Sequence, residues 1–269
     1  MTAKKVGLAL GGGGARGLSH IGVLAVLERE HVPVDMIAGT SIGAVVGGLY
    51  ALRHDAAELR DIALSLAKRR INYWLDPVLP RSGLAGGHRI EKVLRSLVGE
   101  DITFNDLRLP FACVAADVDT GEEVVLDSGP VWKAIRASAT VPVVLEVAEV
   151  NGRYLVDGGL VNPVPVSVLQ HMGADLIIAV NVLPDRSKRS DGRPPNIFTI
   201  IVRTLYIYSS SLLRSSMEGA GVIIEPDVAD IAFAEFRRAE ECIGKGEAAA
   251  EKALDDIRHH LAAAGITPA

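Results

Sequence analysis

A serine flanked by glycines stands between an apolar strand and a small-residue helix. Gly39-Thr40-Ser41-Ile42-Gly43 follows the strand-like Val34 to Ala38 and opens a helix over Ser41 to Leu52. In that setting a G-x-S-x-G segment folds as a sharp turn that thrusts its hydroxyl into the open. The following helix aims N–H groups and the positive end of its dipole at the same point, which favours developing negative charge. A serine there can also simply cap the helix; the strand–turn–helix setting favours a nucleophile. A second segment, Gly11-Gly12-Gly13-Gly14-Ala15-Arg16-Gly17, also lies between a strand and a helix. It fits G-x-G-x-x-G at Gly12, Gly14 and Gly17. Two chemistries compete for it: a dinucleotide phosphate loop, or consecutive N–H groups that bind an oxyanion. The dinucleotide reading wants a carboxylate at the carboxyl end of the second strand. Asp35 has about the right count but stands near that strand's start, and Arg16 departs from the usual small residue. The oxyanion reading needs only that neighbouring strand ends converge, as they do in a parallel sheet.

A serine nucleophile needs a base within hydrogen-bond reach. Asp157-Gly158-Gly159 follows the strand Arg153 to Val156, so its carboxylate is placed to reach Ser41, although Asp-Gly is also an ordinary turn. In the usual triad order a histidine follows the acid. Only His171, His259 and His260 follow Asp157. The first ends a helix, and the other two lie on a charged helix rather than in a loop at a strand end. That leaves a Ser–Asp dyad, with a Ser–Asp–His triad as the alternative. An ordinary carboxylate is a weak base for a hydroxyl. The dyad therefore requires partial desolvation and strong oxyanion donors.

The elements that must position these groups read as an α/β fold with a parallel sheet. Val6 to Leu10 is a buried strand and Leu18 to Glu30 a helix. Helices follow at Ala56 to Lys68 and Ile90 to Val98. Phe111 to Asp117 and Glu123 to Leu126 form a hairpin about Asp119-Thr120-Gly121-Glu122. Val131 to Ser138 and Val164 to Met172 are short helices, and Leu176 to Val182 is another buried strand. Pro184 to Asn196 reads as a mobile charged loop. Ile197 to Met217 is a long helix, Val222 to Glu225 a strand, and Phe236 to Ala263 an amphipathic helix. The chain has 269 residues, 49% of them hydrophobic, enough for one large core; one domain over residues 1–269 is expected. A net charge of −5 and 4% aromatics argue against a nucleic-acid partner. The two cysteines, Cys113 and Cys242, are far apart and read as buried free thiols in a reducing, cytoplasmic compartment. The N-terminal apolar run stops in glycines and reads as a strand rather than a leader. No stretch is long and apolar enough to span a bilayer.

GGGGARG, GTSIG and DGG, in this order and spacing, resemble the patatin-like phospholipase family. The similarity is closest to its bacterial members and to the catalytic domain of neuropathy-target-esterase-like lysophospholipases. Arg136-Ala137-Ser138-Ala139-Thr140-Val141-Pro142 also resembles the family segment ahead of the aspartate. The resemblance covers about residues 5 to 182; residues 183 to 269, which include the C-terminal helical part 197–269, match only loosely. It implies a three-layer α/β/α fold with a mainly parallel central sheet. It implies a lipid carboxyl-ester hydrolase with Ser41 as nucleophile and Asp157 as general base. Gly12, Gly13 and Gly14 would supply oxyanion N–H groups, and Arg16 would support that loop or the anion. Gly17, Gly39, Gly43, Gly158 and Gly159 would be motif support. No metal and no other cofactor is implied. One departure follows Pro142: Val143-Val144-Leu145-Glu146 replaces an aromatic residue and a second proline common in relatives, which bears on the acyl pocket.

A lipid ester substrate implies an interfacial surface and peripheral membrane contact. Two segments are candidates. Arg69 to His88 mixes Tyr73 and Trp74 with Arg69 and Arg70, and also suits a loop over the site's mouth. The helix Ile197 to Leu213 is apolar around much of its circumference and suits sheet packing, a homo-oligomer face or a membrane face.

Overall fold

The computed structural model describes residues 4–68, 83–183 and 197–267. In chain order the elements are β1 (Val6–Leu10), α1 (Ser19–Arg29), β2 (Met36–Thr40), α2 (Ile42–Arg53), α3 (Ala56–Ala67), β3 (Gly83–Ala85) and α4 (His88–Val98). Next come β4 (Phe111–Asp117), β5 (Glu123–Leu126), α5 (Val131–Ser138), β6 (Val143–Leu145), β7 (Ala148–Val150) and β8 (Arg153–Asp157). The chain closes with α6 (Val166–His171), β9 (Leu176–Val180), α7 (Ile197–Ser216), β10 (Val222–Ile224) and α8 (Ala239–Ala264). Most of Arg69 to His88, and all of Pro184 to Asn196, lie outside the described residues.

Five strands, in the order β10-β9-β1-β2-β4, pair in parallel. Their side chains divide by the period of two that a pleated strand imposes. Leu8 and Leu10 face a core shared with α1, α2, α5 and α8, with α3 and α4 outside them. Ala9 faces a second core built with α6 and the C-terminal end of α7. Helices thus cover both faces of a mainly parallel sheet, the three-layer arrangement expected. β10 pairs with β9, so the C-terminal segment shares the sheet of the motif-bearing one.

Several boundaries depart from the sequence reading. The glycine segment does not enter a helix directly; a 3-10 turn over Gly14–Leu18 precedes α1. β2 starts two residues later than the apolar run suggests, and α6 starts after Pro165, whose φ of −81° and ψ of 58° are not helical. β6 and β7, three residues each, are too short to leave a sequence pattern. β6 pairs with β3 in a separate two-stranded sheet, and Val143 there adopts φ 69°, an unfavourable region for a β-branched residue.

The largest departure concerns β8, which is antiparallel to β4. Its carboxyl end nonetheless meets that of β2, for a reason visible in the register. β5 occupies one edge of β4 from Cys113 to Ala116. On the other edge Thr40 of β2 pairs with Val114, and Asp157 of β8 pairs with Ala115, the next residue. Two strands running in opposite directions therefore stop head to head along one edge of β4. One ends in Ser41, the other in Asp157.

Candidate active site

Leu10 pairs with Gly39, so the loops leaving β1 and β2 start side by side. Gly43 lets α2 lie directly on the end of β1: a Cβ there would stand 2.1 Å from the Leu10 carbonyl oxygen. Ser41 bridges β2 and α2 with φ 56° and ψ −122°, a conformation that costs an L-residue about 1–3 kcal/mol. The surroundings hold it there. Its N–H donates to the buried Ser138 hydroxyl at 2.9 Å, and its carbonyl accepts the first N–H groups of α2, from Ala44 and Val45.

The Ser41 hydroxyl donates to Asp157 Oδ2 at 2.5 Å, and Gly159 N–H donates to Asp157 Oδ1 at 2.8 Å. The Asp157 N–H donates to the Thr140 carbonyl at 2.8 Å. One short segment, Ser138 to Thr140, therefore holds both functional residues by their backbones. Burial is the dominant influence on the Asp157 carboxyl and pushes its pKa up to about 6, against the two hydrogen bonds that favour the anion. Ser138→Ala removes the bond that keeps the turn at Ser41. Its expected effect, on the serine-hydrolase reading developed below, is at least a tenfold loss in kcat/KM with about 1 kcal/mol of stability lost. Wild-type kinetics in that variant would show that the hydroxyl does not position Ser41.

The glycine residues divide in role. Gly12 lies against Ser41, but its N–H donates to the Pro163 carbonyl at 3.0 Å and so points away from a bound oxyanion. Among the described residues no hydrogen-bond partner is seen for the N–H groups of Gly13 or Gly14. Gly14 has φ 61°, and a Cβ there would strike the Phe233 ring. Phe233 in turn accepts the Ala15 N–H at its carbonyl, 2.8 Å away. Gly17 packs on Ile42, and Gly158 on the Val114 carbonyl. Arg16 is buried; its guanidinium carbon lies 5.2 Å from the centre of the Tyr206 ring, and it lines neither cavity at Ser41.

Sequence reasoning missed the supports of this loop. His20 is fully buried and its Nε2 lies 2.8 Å from the Gly11 carbonyl; burial pulls its pKa down to about 4, so it is neutral and donates. Cys242 Sγ reaches the Ala15 carbonyl at 3.3 Å. Both cysteines are free and buried. Only Ser138 carried a signal, as the serine of the segment before Val141-Pro142.

Two cavities meet at Ser41, and Val141 and Phe233 line both. The smaller, about 40 Å³, is bordered by Gly12, Gly13, Asp157, Tyr206 and Ser209. The larger, about 270 Å³, is almost wholly apolar and includes Val144 and Leu145 of the divergent segment after Pro142. Among the described residues no histidine lines either one. His171 bonds the Ser167 carbonyl on α6, and His259 and His260 lie on α8. Asp35 accepts the Val6 N–H at the amino ends of β1 and β2, the far end of the sheet from the glycine loop. No group of three metal-ligating side chains occurs among the described residues.

A family model described as Patatin-like phospholipase matches residues 8–169. This chain belongs to the patatin-like phospholipase family. The match runs from β1 into α6 and contains both Ser41 and Asp157. A lysophospholipase NTE1 of Debaryomyces hansenii is 31% identical over 94% of this chain, which spans 18% of that protein. An uncharacterized NTE family protein of Mycobacterium tuberculosis is 39% identical over 73% of this chain, which spans 54% of it. The crystal structure of VipD from Legionella pneumophila shares the fold, with a TM-score of 0.52 and 14% identity over 94% of this chain and 67% of that one.

Proposed function

We propose that this patatin-like chain is a serine acyl hydrolase cleaving carboxyl esters of phospholipids or lysophospholipids through a Ser41–Asp157 dyad. The observation that carries the reading is the 2.5 Å bond from the Ser41 hydroxyl to a half-buried carboxylate whose pKa is pushed up to about 6. That shift makes Asp157 a stronger base than a free carboxylate while leaving it ionised at neutral pH. Ser41 Oγ attacks the ester carbonyl carbon as Asp157 takes its proton. The carbonyl oxygen becomes an oxyanion, received by the Gly13 and Gly14 N–H groups and the positive end of α2. Gly12, tied to Pro163, holds the loop's shape, and Arg16 braces it from below against Tyr206. The intermediate collapses, Asp157 returns the proton to the departing alcohol, and water then frees the acyl group by the same route. The lysophospholipase name of the fungal relatives supports a lipid ester as substrate.

The test is hydrolysis of lysophosphatidylcholine and p-nitrophenyl esters by the purified protein, with products read by mass spectrometry. Free fatty acid is the expected product. The base must be ionised, so kcat/KM falls about tenfold per pH unit below roughly pH 6. A single limb near pH 4, the range of a solvated carboxylate, would argue against an enclosed Asp157 as base.

Substrate in aggregates requires a face that meets lipid. No helix among the described residues is long and apolar enough to cross a membrane. α7 offers a surface alternative. Its inner side lines the smaller cavity with Val202, Leu205 and Tyr206. Ile197, Ile200, Ile207 and Tyr208 are exposed, with Ile207 60% accessible. Resting that stripe on a bilayer brings the cleft to the lipid. Ile207→Asp is expected to reduce sedimentation with phosphatidylcholine vesicles severalfold; unchanged sedimentation would remove α7 as the contact.

A further inference from the structure

Protein interiors are packed at crystal density, so an apolar void of about 270 Å³ beside a serine hydroxyl needs an occupant. Its shape follows from the helices around it. At the Ser41 end stand Ile42, Val141 and Phe233. Ile90 at the start of α4 belongs to the same end, because it packs with Val144 and Leu145 of β6. At the other end stand Leu49, Leu59 and Leu97. These three converge because α2 ends, α3 begins and α4 ends at one place. Arg53 ties that place together: Nη1 donates to Glu58 at 2.7 Å and Nη2 to the Leu97 carbonyl at 2.6 Å. The cavity therefore runs along α2 from the candidate nucleophile to the Leu49, Leu59 and Leu97 side chains.

Its capacity can be reached two ways. Leu49 lies eight residues along α2 from Ser41, about 12 Å at 1.5 Å per residue. An extended chain advances about 1.1–1.2 Å per bond, so this length holds about ten carbons. A cavity of about 150 Å³ accepts the six carbons of benzene. By that measure 270 Å³ holds about eleven, close to the first figure. The second cavity at Ser41 is smaller and edged by Asp157, Ser209 and Tyr206, which suits the alcohol side of the ester rather than another apolar chain.

We infer that the α2–α3–α4 tunnel is the binding site for a single unbranched acyl chain, and that Leu49, Leu59 and Leu97 set its preferred length at about ten carbons. This rests on the acyl-hydrolase reading for its consequence in catalysis but not for binding. The first measurement is kcat/KM for p-nitrophenyl esters from acetate to palmitate. Activity rises to about decanoate and stops rising beyond it. Leu59→Trp, which fills the end lined by Leu49, Leu59 and Leu97, lowers the decanoate-to-butyrate ratio at least tenfold. Leu59→Ala lengthens the tunnel and raises the laurate-to-decanoate ratio severalfold. Ala63→Phe, midway along α3, provides a second filling variant should Leu59→Trp fail to fold. Ratios that stay at the wild-type value in folded filling and lengthening variants overturn the inference. The second measurement needs no catalysis: titration of decanoate into Ser41→Ala protein by calorimetry. Binding at least tenfold weaker with Ala63→Phe added supports the tunnel even if no ester is cleaved. Binding indifferent to that substitution, or no binding, overturns the tunnel while leaving the dyad standing.

Discussion

Ser41→Ala protein is expected to keep its fold and lose ester hydrolysis to background, a fall of at least ~10⁴-fold in kcat. The attacking atom is gone, and the neighbouring Ser209 hydroxyl is engaged with the Leu205 carbonyl rather than with Asp157. On the proposed reading, the residual rate is what the Gly13 and Gly14 N–H groups can do alone with water. Backbone strain supplies a control. Alanine inherits the φ of 56° that Ser41 holds, whereas glycine adopts it freely. Ser41→Gly should therefore be as inactive as Ser41→Ala yet more stable than it by about 1 kcal/mol in urea unfolding. Losing activity in both while only one gains stability separates the hydroxyl's chemistry from the turn's geometry. A fluorophosphonate probe that labels wild type and neither variant completes the assignment. Ester hydrolysis persisting in Ser41→Ala would end the proposal for this residue.

What the chain disclosed in advance was local backbone demand. A serine between strand and helix with glycines on both sides must make a tight elbow, and Gly43 against Leu10 is the contact that requires it. The continuous apolar character of β1 and β9 pointed to the layered sheet, because burial on two sides leaves that composition. The pairing of Ser41 with Asp157 was legible only as a possibility, since 116 residues separate them. Its cause was hidden. Arg153 to Asp157 carries no mark of direction, and its place at the end of β2 goes with β5 occupying the other edge of β4. Ser138 holds Ser41 from 97 residues away, and Phe233 reaches the glycine loop from beyond the residues that the family model matches. The occupied N–H of Gly12 was equally invisible. Its partner, Pro163, follows Asp157-Gly158-Gly159 and returns over the first loop only once β8 is in place. Spacing can mark which residues need a special backbone, but which N–H stays free is decided by tertiary contacts.

Asp157→Asn is expected to reduce kcat by ~10²–10⁴-fold, the usual contribution of a general base. It should also make the protein more stable at neutral pH. The sign follows from the proton balance. The folded-state pKa of about 6 lies above the ~3.9 of an unfolded aspartate, so between these values the folded state holds the proton more tightly. The stabilisation from this group is present below about pH 4 and is lost as pH rises through 6. At pH 8 the enclosed anion then destabilises the fold by about 3 kcal/mol relative to its protonated form. Asparagine copies the shape of that neutral form. Its carbonyl can still accept from Gly159, and its amide can donate to Ser41. Urea unfolding should therefore find the variant ahead of wild type at pH 8, with the gain shrinking to nothing by pH 4. On the proposed reading the same proton governs the acid limb of wild-type hydrolysis, so the midpoint of that limb must agree with the pH near 6 at which the stability difference levels off. An Asp157→Asn protein less stable than wild type at pH 8 would mean that the carboxylate is stabilised by its neighbours as an anion. Such a carboxylate would be too weak a base to deprotonate Ser41.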